Sequence, residues 1–273
     1  MYREKKSFYN NGFDYDLSKL NPKDEAHIVC AVFNDGTLYR KDMLSIFEFL
    51  KLQCKTLYNA RVYLAVEGLG NQPDFCVEDV KLYKECGMSM AGLCWNNDNA
   101  LCGGIENNFS GLTFLGKETV KALFKNSVIP DVSHASDKTF YEILKLSNGC
   151  VCASHSNSRF VHNHNRNLTD DEFKAIALNG GVVGINFYPD FVMGETSDID
   201  DVIAHIEHFL KLGGENNIGI GSDFDGIDKK CKNLEDCRGI YKLKDRLLAK
   251  GYNQSFINKL FFENFSELFK KYE

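Results

Sequence analysis

A surplus of basic charge is the first thing this chain of 273 residues lacks: 32 Lys and Arg face 38 Asp and Glu, for a formal net charge of -6. A nucleic-acid groove or an anionic membrane surface needs concentrated Lys and Arg, so both are excluded as expected partners. Long apolar runs are missing too. Nothing approaches the roughly 20 residues of a spanning helix, and the N-terminal MYREKKSFYNNGFDYD has no apolar core of a signal peptide, so the expected location is cytoplasmic. Proline is scarce, with four in all, and no linker rich in Pro, Gly or Ser interrupts the chain. That favours one domain over residues 1–273. No C-x-x-C spacing occurs among the ten cysteines, which excludes the common zinc and redox motifs and leaves reduced, mostly buried thiols.

What the sequence does contain is a regular alternation. Short β-rich runs at 27–33 (HIVCAVF), 61–67 (RVYLAVE), 89–95 (SMAGLCW), 128–134 (VIPDVSH), 150–155 (CVCASH), 181–188 (GVVGINFY) and 217–224 (NIGIGSDF) alternate with amphipathic stretches. Helices are expected at about 41–54, 77–86, 116–127, 137–147, 169–178, 198–212, 235–250 and 254–271. Asp137, Thr169 with Glu172, and Asp198 are the expected N-caps of three of them. Strand runs that are apolar on both faces and separated by helices imply a parallel sheet covered by helices.

The residues able to do chemistry fall at strand ends: Glu67, Trp95 with Asn96, His134, His155, Tyr188 and Asp223. Their spread over many strands fits the C-terminal rim of a (β/α) barrel better than the single crevice of an open sheet, although seven strands are readable rather than eight. In a barrel His134 and His155 would stand on neighbouring strands about 5 Å apart, close enough to share a metal. Two histidines with Glu67 suit zinc with an open position, and so a metal-assisted hydrolase. Asp223, in GIGSDFDG, is placed to take a proton and pass it to a leaving amine. Asp225 in the same turn is expected to bond its local backbone. Arg166, in HNHNRNLTDD, could clamp a substrate carboxylate or simply be a solvated loop residue. His162, His164, His205 and His208 read as surface or packing residues.

The runs GLTFLGKETVKAL, DVSHASDKTF, ASHSNSR, RNLTDDEFKAIALNGGVVGINFY and IGIGSDFDGI, in that order, closely resemble the renal or membrane dipeptidase family of zinc metallopeptidases, above all its bacterial members. The resemblance runs from about Ala26 to the C-terminus. It implies an α/β, TIM-like (β/α)8 barrel that hydrolyses dipeptides through a metal-bound hydroxide, with two zinc ions. Carried over, Glu67 is the bridging ligand, His134 and His155 complete one zinc site, Arg166 holds the dipeptide carboxylate and Asp223 handles protons. Trp95, Asn96 and Tyr188 border the substrate.

One part of the family pattern is absent. The family opens with a strand ending in His-x-Asp, which supplies the second zinc; here the only histidine before residue 134 is His27, with no Asp two residues on. Met1–Lys6 reads instead as the helix that follows such a strand. The expectation is a chain that lacks the first strand, through an upstream start or truncation, or else a seven-stranded member holding one zinc or none. An active dipeptidase is therefore weighed against a non-catalytic dipeptidase-like binding protein with one intact metal site, and against a lactone or other amide hydrolase. A dipeptide is the expected partner, and a homodimer is compatible with the sequence.

Overall fold

Four parallel strands organise the first half of the chain. In the computed structural model, which describes residues 1–107 and 110–273, β1 (Ala26–Phe33), β2 (Ala60–Glu67), β3 (Met88–Gly92) and β4 (Ile129–Asp131) pair in sequence order. α1 (Arg40–Cys54), α2 (Asp79–Glu85), α3 (Phe114–Lys125) and α4 (Asp137–Leu146) alternate with them, as the sequence periodicity predicts. β1 and β2 run in register from Ala26 opposite Ala60 to Phe33 opposite Glu67, which brings Glu67 to the end of its ladder. These elements belong to a unit made of Glu25–Cys152 and Phe269–Glu273. Its core is packed with Met43, Phe47, Tyr83, Met90 and Leu123, all essentially inaccessible to solvent. The returning C-terminus stacks Phe269 on Tyr63 of β2, with ring centroids 3.9 Å apart.

A second unit joins Arg3–Asp24 to Ala153–Leu268. It contains α5 (Asp170–Leu178), β5 (Val183–Ile185), α6 (Pro189–Val192), α7 (Ile199–Lys211), β6 (Ile218–Ile220), α8 (Gly239–Ala249) and α9 (Gln254–Asn258); α10 (Asn264–Lys270) begins in it. β5 pairs with β6 in parallel, and Ala153 bridges to Val183. Gly184 and Gly221 make this close approach possible: a Cβ on either would collide with the Ser154 carbonyl oxygen. Phe173 of α5 stacks on Phe209 of α7 at 4.1 Å, closing the apolar layer over β5 and β6.

β3 to β6 are shorter than their apolar runs suggest, and at β4 and β5 the reason is the same. Side-chain acceptors take over the backbone amides at the strand ends. The run 128–134 leaves its ladder after Asp131, whose Oδ1 accepts from the Ser133 amide at 3.1 Å and the Ser133 hydroxyl at 2.8 Å. The run 181–188 stops at Ile185, because Asn157 Oδ1 accepts from the Asn186 amide at 3.0 Å. The expected strand at 150–155 is reduced to two bridges, Cys152 to Asp131 and Ala153 to Val183. Three further expectations are corrected. Ser136, not Asp137, caps α4, its hydroxyl accepting from the Thr139 amide. The helix expected over 254–271 is broken by a π turn at Lys259–Glu263, which separates α9 from α10. Met1–Lys6 forms turns rather than a helix, since Lys5 adopts a left-handed backbone (φ +54°) that an α-helix cannot propagate. The Thr169–Glu172 capping box and the Asp198 cap are present.

Candidate active site

In the unit spanning Glu25–Cys152, Glu67 is the last residue of β2. Its carbonyl accepts from the Asn34 amide at 3.0 Å, and Gly68 follows in a left-handed conformation (φ +80°) that turns the chain away. His134 lies three residues past Asp131, beyond the side-chain-stabilised turn that ends β4. Its carbonyl is fixed by the Ile105 amide at 3.0 Å. The ring then meets Glu67, with Nε2 2.6 Å from Oε1, while Nδ1 lies 2.8 Å from Asn96 Oδ1. With Asn96 as acceptor, Nδ1 carries the ring hydrogen, and the Nε2 lone pair faces a carboxylate oxygen. A hydrogen or a metal ion between these two atoms accounts for their separation. An imidazole nitrogen and a carboxylate oxygen, with the second ring nitrogen held by a carbonyl-type acceptor, are donor types that could hold a divalent metal ion. Trp95 extends this site towards solvent, half-exposed, its ring centroid 6.2 Å from that of His134 and 5.5 Å from the ring of Phe33.

Cys152 bridges to Asp131 in the same unit.

The unit that holds Ala153–Leu268 carries the other expected residues. His155 Nδ1 lies 2.7 Å from Ser154 Oγ. Arg166 is almost fully buried; its guanidinium donates to Ser156 Oγ and to the His155 carbonyl, both at 3.3 Å, and sits 5.5 Å above the Phe191 ring. Burial on these partners replaces the solvated-loop reading of this arginine with a preorganised cation. Tyr188 caps α6 and packs its ring edge-on against Phe191 at 4.8 Å. Burial, then the nearby Asp190, raise its phenol pKa. Asp223 follows β6 in a left-handed conformation (φ +61°), and its Oδ2 accepts from Asn186 Nδ2 at 3.2 Å.

Asn186 was not foreseen from sequence. It is completely buried, its amide and carbonyl are both bound by the Asn157 side chain, and its own Oδ1 accepts from the Tyr188 amide at 2.5 Å. The available signal was an asparagine inside the apolar run GVVGINFY, where a polar side chain must find partners.

His205 is a packing residue, as expected, but one with a defined task. It is inaccessible to solvent; Nδ1 accepts from the Ser158 amide at 3.0 Å and Nε2 donates to the Val192 carbonyl at 2.9 Å. It ties α7 to the loop that carries Arg166. Burial pushes its pKa down to about 4. An unfolded histidine titrates near 6.5, so between those values the unfolded chain binds more protons. The contribution is fully present above about pH 6.5 and is lost as pH falls through 4, amounting to about 3 kcal/mol. Urea midpoints measured from pH 7 to 4 should therefore fall more steeply for the wild type than for His205→Gln. Parallel curves would contradict this role.

The family model described as membrane dipeptidase (peptidase family M19) matches residues 50–273. The chain belongs to that family. An uncharacterized dipeptidase of Schizosaccharomyces pombe is 36% identical over 185 residues, covering 64% of this chain and 44% of that protein, so the chain spans less than half of that relative's length. An uncharacterized protein encoded in the pqqA 5' region of Klebsiella pneumoniae is 30% identical over 204 residues, covering 70% of this chain and 75% of that protein. Among solved structures, a metallopeptidase from Rhodobacter sphaeroides, bound to a phosphinate mimic of the dipeptide L-Ala-D-Ala, superposes with a TM-score of 0.74 at 24% identity, covering 90% of this chain and 69% of that one. The likeness fixes the fold class, which is the α/β, TIM-like barrel expected from the sequence. Among the described residues no helix is long and apolar enough to cross a membrane.

Proposed function

We propose that the chain acts as a zinc-dependent dipeptidase, with Glu67, His134 and His155 as metal ligands, side chains of the types a divalent ion takes. The observation that carries this reading is the short approach of Glu67 Oε1 to His134 Nε2, with the other ring nitrogen held by Asn96, in a chain of the membrane dipeptidase family. When bound, the ion supplies Lewis acidity to a peptide carbonyl and to the attacking water.

The protein's own groups do the rest. Arg166, already desolvated, binds the C-terminal carboxylate of the substrate, and Trp95 and Tyr188 border the dipeptide side chains. Asp223, oriented by Asn186, holds the proton at its carboxylate and delivers it to the departing amine. Asn96 keeps the His134 ring in one tautomer.

A panel of dipeptides that includes L-Ala-D-Ala, their C-terminal amides and acyl lactones, assayed with added zinc, tests the proposal. Turnover is expected only for substrates with a free carboxylate. Arg166→Gln should raise KM by about 10- to 100-fold, the value of one or two charge-assisted hydrogen bonds, with a smaller change in kcat. Equal turnover of amidated dipeptides, or lactone hydrolysis without dipeptide hydrolysis, would reject this reading. Absence of turnover by the zinc-loaded protein would favour the binding-protein alternative.

A further inference from the structure

The DFDG turn holds two non-glycine residues in the left-handed region, Asp223 at φ +61° and Asp225 at φ +67°. Such a backbone is costly for a residue with a Cβ and persists only where the surroundings over-determine it. For Asp225 the surroundings come from the far end of the chain. Its carboxylate accepts from the Asp14 amide at 2.6 Å and from the Tyr15 amide at 3.3 Å, and its own amide lies 3.4 Å from Asp14 Oδ2. The local backbone bonding expected of this aspartate is replaced by a reciprocal clasp across 211 residues.

The N-terminal side of the clasp is itself anchored. The Cys237 amide donates to the Asp14 carbonyl at 3.0 Å, Lys230 Nζ pairs with Asp14 Oδ2 at 2.7 Å, and Lys19 Nζ pairs with Asp236 Oδ2 at 3.3 Å. Asp16 gathers the amides of Asn10, Asn11 and Gly12 and both the amide and the hydroxyl of Ser18, while Leu17 and Phe8 are buried beside it. On the other side of Asp225, the Gly226 amide donates to the Asp223 carbonyl at 3.0 Å. A Cβ on Gly226 would strike Asp223 Oδ1, so the carboxylate of Asp223 lies folded over the very residue that follows Asp225. Asp225 thus sits between two residues that are in close contact with each other.

We propose that Asp225 is a positioning residue: clasped by the Asp14 and Tyr15 amides, it locks the DFDG turn so that the Asp223 carboxylate stays on Asn186 and aimed at the reacting atoms. The proposal rests on Asp223 being the proton-handling group. Residues 13–19 then belong functionally to the active site although none of them touches substrate, and the effect of Asp225 is on turnover rather than on substrate affinity. A misplacement of about 1 Å in a reacting group is enough to cost about 100-fold in rate.

The test compares Asp225→Ala, Asp225→Asn and, as control for the underlying reading, Asp223→Asn in the full chain loaded with zinc. Asp225→Ala should lower kcat about 100-fold while KM stays within about threefold. Asp225→Asn, which keeps an acceptor oxygen for the Asp14 amide, should recover most of that loss. Amide hydrogen exchange gives a readout that needs no turnover: Asp225→Ala should speed exchange at 13–16 and also at 222–226. Acceleration confined to 13–16, or a kcat for Asp225→Ala equal to that of the wild type while Asp223→Asn is inactive, would overturn the proposal. Full activity of Asp223→Asn would instead reject the role of Asp223, leaving the exchange result to decide whether the clasp locks the turn.

Discussion

Replacing His134 by alanine should remove both zinc and catalysis. The ring occupies the point where Glu67 and Asn96 converge, at 2.6 and 2.8 Å, and its removal leaves the Glu67 carboxylate without the nitrogen that faces it. If Glu67, His134 and His155 hold the ion, losing one of three protein ligands should lower zinc content to near background and cut kcat/KM by about 1,000-fold or more, equivalent to roughly 4 kcal/mol of transition-state stabilisation. Inductively coupled plasma mass spectrometry of the purified variant, beside dipeptide hydrolysis rates, gives the two numbers. The fold should survive, because the backbone of His134 is held by the Ile105 amide independently of the ring. A variant that keeps its zinc and its rate would place the metal elsewhere.

Asp223→Asn should have the second largest effect, and on a different kinetic constant. Asparagine fills the same volume and can still meet Asn186, so the turn is kept while the group proposed to accept and return a proton is lost. General acid–base catalysis is worth about 100- to 10,000-fold, and the loss should appear in kcat with zinc content and KM nearly unchanged. If KM rises while kcat holds, Asp223 binds the substrate amine and does not move its proton.

These two residues also mark how far the sequence could be read. Glu67, His134 and Asp223 were visible because each closes an apolar run, and strand ends are where a parallel α/β fold displays its chemistry. The ends of β1 and β2 fall where the sequence places them, but those of β4 and β5 were not visible. Asp131 and Asn157 end the ladders by capturing amides with their side chains, and a sequence pattern does not say which polar residue will do so. Ser136 and Asp137 are both good caps, and only the backbone conformation at Ser136 decides between them. Asn186 was hidden inside an apolar run. The bonds from Asp225 to Asp14 and Tyr15 lie beyond any local rule, since the partners are more than 200 residues apart and depend on how the chain folds back. Local periodicity therefore revealed the elements and the ligand candidates, whereas the hydrogen bonds that orient those candidates arise from tertiary contacts.

If Glu67, His134 and His155 bind the metal as proposed, the ten free cysteines are their natural competitors for zinc. X-ray absorption at the zinc edge distinguishes the two directly on protein loaded with one equivalent. The account predicts a first shell of nitrogen and oxygen at about 2.0–2.2 Å, with the outer scattering of two imidazoles, and no sulfur. A sulfur shell near 2.3 Å would assign the zinc to cysteines and contradict the account.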